Sequence, residues 1–432
     1  MLRLRLIPIA LPLSGSMLCF ALTGCGDSAP SDEEVGDTSE STDSTGSSES
    51  DSSTDSDSST DGESSTDGDS STDSDTGTET SGEVWELPAC AGPQAPGLGW
   101  TPDAGVSVVP TPLPHLAPIS YTFGLALLHQ PNAIVAHSGL HFFRSEDAGC
   151  TWQDLGAVDQ QPGTSFLDLV VGPDDTVYGW ADNQSGLIRW QGDVIEALPG
   201  PGGDPGIYAV VVDPDDPLHV RVGAAGGGLA DSFDGGESFQ KLGTLPPVDV
   251  GLGYEVAIDP TDLDRVIAGF VNEGWWVSDD AGASWTKSQA ETEAPNQPIN
   301  GFAVSFAPDA SGVVYAQGLE VMLGDSPRRI WRSDDHGFTF TPVVSQTAEI
   351  SMTNGVRLFV HPADPDRVLW SVGMCQFGGG ADLFEYDHSS GEVAIDHHPY
   401  AEFNAVAFSP ADPDFYYLGI EGSGNPNGPQ CP

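Results

Sequence analysis

Ser278-Asp-Asp280-Ala-Gly282-Ala-Ser284-Trp285 is the stretch that decides the fold, because the chain spells it four times. The other copies are Ser145-Glu-Asp147-Ala-Gly149-Cys-Thr151-Trp152, Ser232-Phe-Asp234-Gly-Gly236-Glu-Ser238-Phe239 and Ser333-Asp-Asp335-His-Gly337-Phe-Thr339-Phe340. The residue types suit a tight hairpin. A carboxylate at the third position can accept hydrogen bonds from turn amides, glycine at the fifth tolerates positive φ, and the final aromatic can close onto a core between sheets. Ile188-Arg-Trp-Gln-Gly-Asp193 and Phe384-Glu-Tyr-Asp-His-Ser-Ser-Gly391 are degenerate versions.

Outward from these hairpins run pairs of apolar β segments, each joined by a turn built on proline and aspartate. The prolines are Pro131, Pro173, Pro214, Pro260, Pro308, Pro362 and Pro410, spaced by 42, 41, 46, 48, 54 and 48 residues. That period is one four-stranded blade per repeat, so residues 84–432 are expected to form an all-β, seven-bladed β-propeller of antiparallel blades. The seventh pair has no hairpin after it, which would leave an open edge. Val84-Trp-Glu-Leu87 and Leu98-Gly-Trp-Thr101 are the unused β segments, and both are expected as outer strands of that last blade, closing the ring from the N-terminal side.

The four octapeptides resemble the Asp-box, or BNR, repeat, a fold marker on the periphery of propeller blades. The resemblance covers residues 84–432 and implies that Asp147, Asp234, Asp280 and Asp335 are structural. Propellers of this family include sialidases, some endoglucanases, sorting-receptor ectodomains and a photosystem assembly factor, so the fold does not select a function.

The N-terminus carries an address. Arg3 and Arg5 precede an apolar run from Leu6 to Leu22 that is broken by Pro8, Pro12, Ser14 and Gly15, the pattern of a signal peptide rather than a membrane span. It ends in Leu22-Thr23-Gly24-Cys25, which resembles the lipobox of bacterial lipoproteins and implies lipidation at Cys25. Residues 26–83 hold 19 acids, no base and one aliphatic residue, Val35, beyond their alanine and proline. They are expected to be a disordered, extended acidic linker. This stalked arrangement resembles predicted surface lipoproteins of myxobacteria. The expected location is the cell envelope, at the outer membrane or cell surface, with the membrane reached through the lipid.

The net charge is −52, and residues 84–432 alone, with 46 acids and 11 bases, are near −35. Such a surface repels phosphate backbones, which excludes nucleic acid as a partner. Of the cysteines, Cys90, Cys150, Cys375 and Cys431 suit two disulfides in an exported domain. Blade topology puts Cys90 and Cys150 in neighbouring outer turns, and Cys375 and Cys431 after second strands in neighbouring blades. The expected pairs are Cys90–Cys150 and Cys375–Cys431, with Cys90–Cys431 as the alternative.

Catalytic signatures are sparse. The Arg-Ile-Pro motif of sialidases is missing, and Arg221, Arg265 and Arg367 recur at equivalent repeat positions, as structural residues do. The glutamates Glu255, Glu273, Glu320, Glu402 and Glu421 fall in loops of the face where propellers bind ligands, but most sensibly as solvated charges. Ten scattered histidines include no HExxH, so no metal is expected. Aspartates such as Asp213, Asp215, Asp216, Asp259, Asp262, Asp264, Asp364, Asp366, Asp412 and Asp414 recur in the proline turns; calcium is the weaker reading and ordinary turn chemistry the stronger. The best binding surface is Tyr254-Glu255 with Asn272-Glu273 and Trp275-Trp276, where paired indoles beside an amide and a carboxylate could stack on a sugar or grip a peptide. The expected function is a non-catalytic, monomeric module for a protein or glycan ligand, with a glycoside hydrolase as the alternative.

Overall fold

The computed structural model describes residues 84–90, 98–100, 122–138, 141–157, 167–181, 186–192, 194–201, 206–224, 227–248, 253–293, 297–321, 327–373, 381–398 and 402–421. The expected signal peptide, lipidated Cys25, acidic linker and the Cys375–Cys431 pair lie outside the described residues.

Seven sheets follow one another along the chain. Six are complete blades with four antiparallel strands: residues 122–157, 168–198, 207–242, 253–287, 299–345 and 359–398, which we number blades 1 to 6. Blade 5 gains a fifth strand, Gln289–Ala290, which pairs in parallel with Thr339 and Phe340 of its outer strand. The seventh sheet has three strands, Leu98–Trp100, Tyr416–Glu421 and Glu402–Phe408, in that spatial order. Among the described residues, the expectation of seven four-stranded blades is therefore corrected to six complete blades and a three-stranded closing sheet.

The N-terminal closure is half as expected. Leu98–Trp100 does pair beside Tyr417–Gly419. Residues 84–89 form no strand. They lie on blade 1 instead: the Trp85 indole donates to Leu128 O at 3.1 Å and the Glu86 amide donates to Asn132 Oδ1 at 2.7 Å. Asn132 sits in the left-handed region, φ 62°, and its side-chain oxygen accepts from the incoming chain.

The core is a ring of junctions. Val135 and Phe142 of blade 1 pack with Val177 and Trp190 of blade 2, and Tyr178 and Leu187 of blade 2 pack with Val210 and Val222 of blade 3. The pattern continues round to Phe403 and Leu418 of the closing sheet against Leu369 of blade 6, and Phe415 and Tyr417 against Ile134 and Phe143 of blade 1. A fully buried indole such as Trp331 or Trp370 contributes on the order of 3 kcal/mol to such a junction.

Close backbone approach sets the spacing near the ring centre. A Cβ on Gly269 would stand 2.6 Å from Gly301 O in the next inner strand, and one on Gly419 would stand 2.7 Å from Thr122 O. Both inner strands carry a register shift there, between Gly301 and Ala303 and between Thr122 and Gly124. The closing junction thus repeats the geometry of an internal one.

The four repeated hairpins share one hydrogen-bond scheme. In blade 1 the Ser145 hydroxyl donates to Asp147 Oδ1 at 2.8 Å and accepts from the Gly149 amide at 2.8 Å. Asp147 accepts from the Thr151 amide at 2.7 Å and the Thr151 hydroxyl at 2.6 Å. Asp234, Asp280 and Asp335 repeat it with their own serine or threonine partners. Hydrogen bonds from Ser238 and Ser232 pull the Asp234 carboxyl down to about 2. Burial opposes ionisation of Asp147, yet its bonds from Thr151 and Ser145 still hold it below the usual range.

Cys90 and Cys150 are bonded, with Cα atoms 5.7 Å apart, as expected. The bond ties residues 84–90 to the hairpin of blade 1, rather than two outer-strand turns to each other.

Candidate functional site

An opening follows the junction of blades 4 and 5. It is a groove of about 530 Å³ whose polar lining includes Asn272, Glu273, Lys287, Ser288, Thr292 and Gln297, with Trp275 and Ile299 as apolar wall. The turn 271–273 forms one lip. Asn272 adopts φ 59° there, and its amide donates to Asn300 Oδ1 of blade 5 at 2.7 Å. The Lys287 ammonium meets Glu273 Oε2 at 2.6 Å. The floor is the segment crossing from blade 4 to blade 5: Ser288 donates its hydroxyl to Gly337 O at 2.7 Å, and the Gln289 amide donates to Phe338 O at 2.8 Å.

Of the sequence candidates, Asn272, Glu273 and Trp275 come together here. Tyr254, Glu255 and Trp276 do not line the groove. Trp275 and Trp276 face opposite sides of one strand, since alternate side chains must. Trp275 is buried edge-on against Trp331, ring centroids 5.4 Å apart, and beside Phe340. Glycines admit it: a Cβ on Gly301 would lie 2.7 Å from its Nε1. Trp276 packs, half-buried, on the cluster shared by blades 3 and 4. The paired indoles are therefore not a stacking platform. Tyr254 leans edge-on to Phe302 at 4.7 Å, and burial raises its phenol pKa. Lys287, Ser288, Thr292 and Gln297 were not among the sequence candidates, although Lys287 is one of only two lysines in the chain.

The other glutamates are engaged or lie elsewhere. Glu320 is buried, meets Arg329 Nη1 at 2.9 Å and accepts the Glu293 amide at 3.1 Å. Glu402 and Glu421 begin and end strands of the closing sheet, and their side chains lie outside the described residues. The three arginines do not converge. Arg221 binds Asp231 through two bonds of 2.7 Å and Asp264 at 2.9 Å, Arg265 meets Asp259 and Asp262, and Arg367 joins Glu385 to Asp414.

The proline-turn aspartates serve the backbone. Asp213 Oδ1 accepts the Asp215 amide, Asp259 Oδ1 the Thr261 amide, Asp364 Oδ1 the Asp366 amide and Asp412 Oδ1 the Asp414 amide, at 2.8–3.1 Å. Across the ring, Arg357 ahead of the blade 6 inner strand grips Asp168 at the head of the blade 2 inner strand, with Nη2 2.9 Å from Oδ2. Blades 2 and 6 are not neighbours, so this pair crosses the central opening.

No family model matches the chain. The chain is 33% identical over 348 residues to the dispase autolysis-inducing protein of Streptomyces mobaraensis, covering 79% of this chain and 91% of that protein. It is 24% identical over 251 residues to the xyloglucanase Xgh74A of Acetivibrio thermocellus, but spans only 28% of that enzyme's length. In structure it is similar to the GH74 xyloglucanase of Xanthomonas campestris, with a TM-score of 0.51 and 17% identity, over 70% of this chain and 51% of the enzyme. At that identity the likeness is one of β-propeller fold alone. The extent and identity of the Streptomyces match decide the family: this chain belongs with the dispase autolysis-inducing protein.

Proposed function

We propose that this protein is a non-catalytic propeller that binds a protein partner, and that the partner is a peptidase. The observation that carries the reading is kinship along nearly the whole length of a protein whose name states that it induces dispase autolysis. The geometry supports binding over acid–base chemistry. Glu273, the carboxylate in the groove, is paired with Lys287, and Arg357 is paired with Asp168 across the ring. Hydroxyls and amides along the groove suit the backbone of a partner segment.

The protein acts as a monomer displayed on the cell envelope. Acylation of Cys25 anchors it, and the acidic linker of residues 26–83 holds the propeller away from the membrane; the lipobox-like Leu22-Thr23-Gly24-Cys25 supports this.

The test is to incubate the full chain with dispase and follow the loss of intact protease by gel. Intact dispase should disappear several-fold faster with the chain present, and less so with the Lys287→Glu variant, which sets two carboxylates against each other in the groove. The second reading, a glycan-active enzyme, draws on the xyloglucanase similarity. Unchanged dispase lifetime together with release of reducing ends from xyloglucan would establish that reading instead.

A further inference from the structure

Of three aligned positions, blades 3 and 4 share one, a lysine, and differ at two in a way that leaves a vacant site on blade 3. Two residues before the hairpin serine, three of the four repeats carry an aromatic: Phe143, Trp276 and Trp331. Each packs toward the preceding sheet. Blade 3 has Ala230 there. The strand registers make the equivalence firm, since Ala230 pairs with Lys241 as Trp276 pairs with Lys287. The third position follows from the pairing of Gly228 with Ala224 and of Gly274 with Phe270. It places Gly227 where blade 4 has Glu273.

Blade 4 thus supplies its own aromatic, Trp276, and its own carboxylate, Glu273, to the lysine. At the aligned positions blade 3 has Ala230 and Gly227 and supplies neither. At Gly227 no side chain fits, because φ is +82° and a Cβ would lie 2.8 Å from Pro246. The result is a mainly apolar groove of about 290 Å³, lined by Pro201, Ala224, Ala230, Leu242 and Leu245 with Lys241 among them. Pro201 belongs to the chain leaving blade 2, so the groove lies at the junction that the missing aromatic would fill. An apolar cavity of about 150 Å³ is enough to take up benzene. Leu245 stands 62% exposed at this groove. Among the described residues Lys241 has no ion-pair partner, in a chain whose net charge is −52.

We propose that this groove is a binding site for an aromatic side chain accompanied by a carboxylate, presented by a partner polypeptide. The ring takes the place that Trp276 fills in blade 4, and the carboxylate pairs with Lys241 as Glu273 pairs with Lys287. The inference holds whichever protein the partner is, and does not depend on that partner being a peptidase.

The experiment titrates the full chain into three acetylated peptides carrying 4-fluorophenylalanine, followed by 19F NMR. One ends in fluorophenylalanine as the free acid. One is its amide. The third is amidated and has a glutamate three residues before an internal fluorophenylalanine. Saturable binding of the first or third, with the amide about ten-fold weaker, is the expected result, and which of the two binds identifies the source of the carboxylate. Lys241→Gln should lower the acid to the level of the amide, and Ala230→Trp should abolish binding by filling the groove. Equal binding of acid and amide, unchanged binding by either variant, or no saturable binding of any peptide would overturn the proposal. Lys241 is a surface residue, so its variant decides the matter even if Ala230→Trp disturbs the blade.

Discussion

His137 is the residue whose chemistry is most at odds with its setting. It is wholly buried in the second strand of blade 1, both ring nitrogens lack a hydrogen-bond partner among the described residues, and its ring meets Phe142 edge-on at 4.9 Å. Burial, and then the nearby His141, lower its pKa to about 3. The unfolded chain binds a proton here below about pH 6.5 while the folded chain does not, so stability falls as pH drops from about 6.5 toward 3. The contribution is about 1.4 kcal/mol per pH unit. His361, lowered by burial and then by Arg367, acts in the same direction. Urea unfolding at pH 7, 6 and 5 should show a steep loss for the native protein and a flatter one for His137→Leu; identical slopes would mean that His137 is solvated. None of this was legible in the sequence, where His137 was one of ten scattered histidines. The hairpin aspartates were legible, because their partners sit within four residues, whereas burial of His137 depends on strands that meet only in the folded ring.

At the scale of strands and turns, arginines clasp neighbouring blades. Arg221, in the second strand of blade 3, is buried with Asp231, which is 3% exposed, and also reaches Leu263 O at 2.6 Å and Asp264 in blade 4. Burial works against its charge, but the bonds it donates to Asp231 and Asp264 outweigh that and raise its pKa. Arg332 repeats the arrangement from blade 5 to Asp366, and Arg367 from blade 6 to Asp414. Removing the cation leaves the buried Asp231 carboxylate with only the His219 imidazole, 3.2 Å away, so Arg221→Ala should cost about 3 kcal/mol. Arg221→Ala with Asp231→Ala should cost less than Arg221→Ala alone, because the under-compensated buried charge goes too. Denaturant titration of both variants checks this, and a simple sum of single costs would refute the clasp. Equivalent spacing marked Arg221 and Arg367 as structural from sequence, but not which blade each would reach. The groove at Asn272 and Glu273 was half legible for a related reason. Loop residues announce themselves by polarity, while Lys287 and Ser288 belong to a crossing segment whose destination only the fold shows.

At the scale of the whole molecule, a ring depends on the junction that closes it. The repeats foretold the blades, because a proline turn and a hairpin recur at a nearly constant period. They did not foretell the place of residues 84–87, since an apolar Val-Trp-Glu-Leu run satisfies its preferences equally well as an edge strand or by docking an indole. The closing sheet holds blade 1 through Tyr417, whose hydroxyl donates to Ala148 O at 2.9 Å, and through the packing of Phe415 and Tyr417 on Ile134 and Phe143. Trp85 packs on that same cluster, so the Cys90–Cys150 bond, which closes a separation of 60 residues, pins a piece of chain directly onto the seam. Chain-entropy reasoning sets the bond's worth at about 4 kcal/mol. Cys90→Ser should therefore lower the unfolding free energy by an amount approaching that figure, and should expose residues 84–90 to proteolysis before the blades unfold. A Cys90→Ser protein as stable as the native one, with residues 84–90 still protected, would show that Trp85 and Glu86 hold the seam without the disulfide.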